Sequence, residues 1–546
     1  ASNTLIGTNS TQFTTTTTLT NYSVTLNLTG VATSAKITFT DVNGNNWGGN
    51  YGVNFSHPSL VGVGSSVTNI VSLSGNGQVS LGSSTLNVTN AFETYAGVIA
   101  GTGGFKVSGG TQTLSGTNTY TGGTTINAGI LALGASNVLA DAGALNVAGG
   151  TFDVASFNDT VGNVTLSSGS ISGTTGQLTS ANYNVTNATG ITTISAILAG
   201  SGQLTKSGAG TLTLSATNTY TGTTAINGGT LSVTGSLSDS TSVAMAGSAV
   251  WDLRSIQTIA SLVMTSGNSI VNTTGVPSGL TVIGTADIND IATYGSQTYN
   301  GTVTLRGGNV IGGNAPGTGP YMSGGTLNPV SLISNGGNIT FNGTINAGSQ
   351  SALYKRSLTI EAGAGSITFN QTIGTRGTLA GIADGNIYEF TVKAQNIYIN
   401  ADIITNEIQS YLGHVWIGDN GSNGLFRTLL SEDPSVTFGN YEMTGGAVYA
   451  GGIDDAMLNT HTLSVLAVSN WSGATDPVIT FGNPIGATKA LYSITAVTGI
   501  QDITSGKSFS DTPVNASQYA GTINIMANVT TASTQTYTSN NFTLGG

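Results

Sequence analysis

Gly101-Thr-Gly-Gly-Phe-Lys-Val-Ser-Gly-Gly-Thr-Gln-Thr-Leu-Ser-Gly-Thr-Asn-Thr-Tyr-Thr-Gly122 is written again, with small changes, as Gly200-Ser-Gly-Gln-Leu-Thr-Lys-Ser-Gly-Ala-Gly-Thr-Leu-Thr-Leu-Ser-Ala-Thr-Asn-Thr-Tyr-Thr-Gly222. From Gly110 and Gly210 the two stay in register through Tyr120 and Tyr220 and Ile126 and Ile226 to Leu131 and Leu231. Short Thr/Leu alternations closed by glycine, recurring as a long unit, are rungs of a β-solenoid: each coil buries its apolar face only by stacking on the next.

The same alternation runs through most of the chain, as in Ser23-Val-Thr-Leu-Asn-Leu28 and Thr302-Val-Thr-Leu305, each closed by Gly or Asn-Gly. Helical periodicity is almost absent; Thr405-Asn-Glu-Ile-Gln-Ser-Tyr-Leu412 reads as the one short helix or decorated loop. The second half changes its rung to Asn338-Ile-Thr-Phe-Asn-Gly343, Ser366-Ile-Thr-Phe-Asn370, Ser435-Val-Thr-Phe-Gly439 and Val478-Ile-Thr-Phe-Gly482, at variable spacing that signals insertions looping from a continuous solenoid. Gln297-Thr-Tyr-Asn-Gly301 is echoed by Gln535-Thr-Tyr-Thr538. The expected organisation is an N-terminal set of strands over 1–60, serving as a cap or a donated strand; a β-helix with the first repeat type over 61–275; and its continuation over 276–546, with inserted loops at about 375–460.

Composition agrees. Charged residues make up 6% of the 546, where about 25% is usual, while hydrophobics reach 38% and glycine numbers 80. A disordered chain would be poorer in aliphatics and richer in charge. Uncharged Asn and Thr can hydrogen-bond to their own kind up a ladder, where like charges would repel. A net charge of −11 disfavours nucleic acid as a partner. The absence of cysteine excludes disulfides and thiolate metal sites. No apolar run is long enough to span a membrane. The opening Ala1-Ser-Asn-Thr reads as a mature secreted chain rather than a leader.

Residues that could carry chemistry are sparse. His57, His414 and His461 have no partners at metal or triad spacing. Asp41, Asn43 and Asn45 alternate oxygen ligands around a glycine as a calcium loop does, but Gly52 stands where the bidentate acid belongs, so an Asn-Gly turn is the first reading. Asp419 opens a similar turn, and Asp287 with Asp290 or Asp454 with Asp455 are weaker loop candidates for calcium. No cofactor is expected, calcium being the only ion worth testing. The densest polar stretch, Glu389 to Asp455, mixes carboxylates with Tyr411, His414 and Trp416; a sugar-binding decoration belongs there if anywhere, and a solvated insertion is the first reading. Lys36, Lys106 and Lys206 fall in or beside strands, where an amide crosslink to Asn is chemically conceivable.

The Gly200–Leu231 segment, with its partner copy, closely resembles the passenger-associated transport repeat of bacterial autotransporter passenger domains, over residues 96–133 and 196–233. The Ile-Thr-Phe-Asn-Gly rungs of the second half look like those of filamentous-haemagglutinin-like surface proteins. Resemblance implies a right-handed parallel β-helix, all-β, exported by a Gram-negative-type cell and displayed on or shed from its outer surface. The Gly-Asp-Ser-Gly nucleophile motif of protease passengers is missing. The function expected is therefore structural rather than enzymatic: a secreted surface fibre formed by self-assembly through terminal strands, with an adhesin for host or biofilm glycans, or for neighbouring surface components, as the alternative. A polysaccharide-active enzyme ranks last, because no pair of carboxylates with a nearby base stands out.

Overall fold

The computed structural model describes residues 67–306 apart from 266, and beyond them 309–310, 329–348, 354–374, 387–405, 408–418, 426–431, 435–442, 448–449, 451–456, 462–469, 478–491, 493–500, 522–526, 528–539 and 541–544. Before Val67 only the strands Ser2–Asn3, Phe13–Thr14, Val53–Phe55 and Leu60–Val61 are described, so the expected N-terminal segment, 1–60, lies almost wholly outside these residues. Every regular element among the described residues is a β-strand. The chain forms two compact units, Ala1–Thr224 with Thr234–Ser238, and Ala225–Val233 with Asp239–Gly546. That partition reflects packing and does not bear on the change of repeat type expected near residue 275.

Each unit is a parallel β-helix. In the first, Leu86 stacks on Phe105, then Thr124, Leu145, Val164, Tyr183 and Leu204, one residue per coil. All are buried. Two positions along, Val88, Val107, Ile126, Val147, Leu166 and Val185 form a second inward column. Period-two alternation explains both columns: inward residues i and i+2 meet the same positions of the coils above and below. Coils turn where a side chain would collide. Gly110 sits at φ 68°, and a Cβ there would lie 2.0 Å from the carbonyl oxygen of Ala91.

In the second unit Leu280, Gln297, Ile339, Ile367, Ile397, Val415 and Ile453 form one such column. The step from Leu280 to Gln297 is short, whereas Asn300 and Asn342, on neighbouring rungs, are 42 residues apart. Insertions therefore leave the ladder between strands and return to it in register, as the variable spacing implied. Aromatic rings occupy the interior in series, with centroids 5.2 Å apart for Tyr299–Phe341, 5.5 Å for Phe341–Phe369 and 5.6 Å for Phe369–Phe390. The series continues through Tyr411, Phe438 and Phe481 at 6.2, 5.3 and 5.6 Å. Ring pairs at these separations add about 0.5–1.5 kcal/mol each beyond area burial.

The short helix or decorated loop expected at Thr405–Leu412 gives way to strands. Ile403–Thr405 and Gln409–Ile417 are strands, the latter paired in parallel with Phe390–Ile399 across one register shift between Lys393 and Asn396. Burial alternates strictly along Gln409–Ile417, and the Tyr411 hydroxyl donates to Gln409 Oε1 at 2.9 Å. Pairing on both sides overrides a weak local helix pattern. Within the stretch at about 375–460, where inserted loops were expected, the described residues are largely ladder strands, including Phe390–Ile399, Ser435–Gly439 and Gly452–Asp455.

Candidate functional site

The repeat motif resolves into a corner. Asn118 Oδ1 accepts the Ile99 N–H of the preceding coil at 2.8 Å, while Nδ2 donates to Gly116 O and Val138 O at 2.9 Å. Asn218 repeats the arrangement with Leu198 N, Ala216 O and Ser236 O, all at 3.1 Å. One buried carboxamide thus staples three consecutive coils. Tyr120 and Tyr220 lie inside the coil with their hydroxyls on Thr124 and Thr224, at 2.5 and 2.6 Å. Burial drives both phenols well above the usual tyrosine range. Within Thr-Asn-Thr-Tyr-Thr-Gly the asparagine thus ties neighbouring coils together, and the tyrosine braces the corner of its own coil.

Two buried charges lie near these corners. Asp159 Oδ2 accepts the N–H groups of Val138 and Leu139 at 3.1 and 3.0 Å. Burial pushes its pKa up from 3.8 to about 6, against the pull of those backbone bonds, with the Asp141 charge adding to the rise. Lys206 stands in register with Val185, inside the second inward column, fully buried. Its ammonium donates to Gly208 O, and burial lowers its pKa. Lys106, by contrast, points outward between Asn87 and Thr125 and is half-buried. Asp159 and Lys206 were not singled out as buried charges from sequence, although each is in phase with a buried aliphatic, Val161 or Leu204.

The richest cluster lies on the outer face of the second unit. His414 and Trp416, from Gln409–Ile417, stand in register with Gly452 and Asp454. Asp454 is buried, and its Oδ1 accepts the N–H groups of Thr488 and Lys489 at 3.0 and 3.1 Å. Its Oδ2 faces His414 Nε2 at 3.0 Å, and neither atom has a hydrogen bond elsewhere. The Trp416 ring is 4.6 Å from the His414 ring and stacks on Tyr398 at 6.3 Å; its Nε1 donates to Asn396 Oδ1 at 3.0 Å. Lys489 Nζ lies 5.9 Å over the indole and donates to Ala456 O.

An Asp–His pair needs a nucleophile or a third ligand to do chemistry. Among the described residues no group of three His, Asp or Glu converges as a metal site. The cluster instead fastens the segment around Thr488 and Lys489 to the ladder. Asp454 and Asp455, weighed above as loop ligands for calcium, are buried in a strand, which corrects that placement. Asp287 pairs with Arg306 at 2.7 Å, and Asp290 Oδ1 accepts the Ser331 N–H at 3.0 Å, so the structure occupies those two separately as well. The calcium candidates Asp41, Asn43, Asn45 and Asp419 lie outside the described residues, as do His57 and His461.

Residues 105–133 and 204–233 match the family model of the passenger-associated-transport-repeat. The matched segments are the two corners just described with their flanking strands, and the chain resembles autotransporter passenger domains through them. No curated protein and no solved structure matches the chain at a significant level.

Proposed function

We propose that this chain, built on passenger-type repeats, is an extracellular structural protein of a Gram-negative-type cell surface, which joins further copies end to end into a fibre. The observation that carries the structural reading is the use to which the side chains are put. Inward positions form apolar and aromatic columns, and the polar repeat residues staple coils to one another. The histidine–aspartate cluster is likewise a fastening. Assembly draws its support from Asn541–Leu544, which among the described residues pairs with Thr522–Ile525. Phe542 and Leu544 continue the columns of Ile523 and Ile525, yet are 48% and 77% exposed. Exposed apolar side chains along a strand invite pairing with a further strand, and residues 1–60 of a second copy are the donor in this reading.

Negative-stain microscopy tests the reading. The parent protein is expected as fibres, and a Phe542→Lys, Leu544→Lys variant or deletion of residues 1–30 as isolated particles. Fibres undiminished in both variants would refute the joint. A parent that stays monodisperse at every concentration would refute the fibre.

A further inference from the structure

Thr258, Thr281, Thr298, Thr340 and Thr368 fall in one outward column of the second unit, five consecutive rungs in register. All five are half-buried, and among the described residues their hydroxyls have no hydrogen-bond partner. At about 4.8 Å per rung the column runs for about 19 Å. Beside it, Asn300, Asn342, Asn370 and Asn400 form a carboxamide ladder, each Nδ2 donating to the Oδ1 before it at 2.8, 2.7 and 2.8 Å. On the other side stand Ser296, Asn338 and Ser366, tied by bonds from Asn338 N to Ser296 Oγ and from Ser366 N to Asn338 Oδ1.

None of the chain's 12 basic and 23 acidic residues falls in the stretches 256–260, 279–283, 296–300, 338–342 and 366–370 that make this face. The apolar side chains it exposes are Ile256 and Ile283, at 72% and 48%. A second hydroxyl column of the same unit, Thr359, Thr391 and Ser410, is different: two positions along it stand Glu361 and Lys393, 3.9 Å apart.

We propose that the Thr258–Thr368 column is the binding face for an uncharged polysaccharide chain, laid along the stacking direction so that successive sugars meet successive rungs. Charge selects the ligand class: a face without ions in a chain of net charge −11 neither attracts a cation nor pairs an anion, and it matches a neutral polymer. A threonine hydroxyl both donates and accepts, as sugar hydroxyls do. The β-branched side chain has few χ1 states and the ladder fixes its spacing, so little freedom is lost on binding. Exposed methyl and isoleucine surface covers the apolar faces of sugar rings. The inference stands apart from fibre formation, since an unassembled chain carries the same column.

The test is retention of the full chain on insoluble cellulose, chitin and curdlan, with cross-linked alginate as the anionic comparison. Retention is expected on at least one neutral polymer and not on alginate. Thr298→Lys, Thr340→Lys, Thr368→Lys should weaken it on the order of tenfold or more, each lost hydrogen bond being worth about 1 kcal/mol. Thr298→Val, Thr340→Val, Thr368→Val, which keeps shape and strand preference, should weaken it as well. Thr359→Lys, Thr391→Lys on the charged-flanked column should leave it unchanged. Retention on no neutral polymer, equal retention on alginate, or equal loss in the control variant would overturn the proposal. Loss of self-association by the column variants, with no polymer held by the parent, would assign the face to a second copy and overturn it too.

Discussion

Asp159 makes the first unit respond to pH in an unusual direction. Its carboxyl is buried and accepts the backbone N–H groups of Val138 and Leu139 through one oxygen. Its pKa rises from 3.8 to about 6. Because the folded value lies above the unfolded one, ionisation is harder in the native state. The native state is therefore favoured most below about pH 4, loses stability as pH rises through 6, and is level above that. A rise of roughly two units is worth about 3 kcal/mol in full, of which about 2 kcal/mol falls between pH 4.5 and 7.5. Native-state hydrogen exchange at the Val138 and Leu139 amides, corrected for intrinsic rate, reads this locally. Protection is expected to fall roughly thirtyfold over that interval. Asp159→Asn has no charge to bury, so its protection should hardly change with pH and should exceed the parent's at neutrality. The same slope in the variant as in the parent would refute the reasoning.

Asn118→Ala removes three hydrogen bonds and leaves Ile99 N buried without its acceptor, while Val138 O keeps the backbone N–H of residue 118; a loss of about 2–3 kcal/mol is expected from chemical denaturation of the first unit. Phe369→Ala opens a hole between Phe341 and Phe390 and should cost about 3–5 kcal/mol in the second unit, with no change in the first. Lys206→Met replaces a buried ammonium in an aliphatic column and should stabilise by about 1–4 kcal/mol in thermal unfolding at pH 7. The gain should shrink at strongly alkaline pH, where the parent lysine is neutral in both states; a destabilised variant would contradict this.

How much of this was readable depends on the range of the interaction. The Asn118 and Tyr120 corner is legible because its alternation and glycines are local, and because Gly110–Leu131 is repeated at Gly210–Leu231. Lys206 was grouped with Lys106, but a one-residue offset ahead of Gly110 and Gly210 turns one outward and the other into the core. Gln409 and Tyr411 read as a short helix or a decorated loop because helical and two-residue periods look alike over eight positions, and only pairing with Phe390–Ile399 separates them. His414 and Asp454 meet because a strand returns to the ladder after an insertion of unpredictable length. The column Thr258–Thr368 is hidden for the same reason: its rungs are unevenly spaced in sequence and evenly spaced in space.

Electron microscopy of the purified native protein, with the Fourier transform of straight segments, tests the central claim most directly. Fibres whose transform carries a meridional layer line at about 4.8 Å, from strands stacked along the fibre axis, are the predicted result. Separate particles of uniform size, or fibres without that layer line, would contradict it.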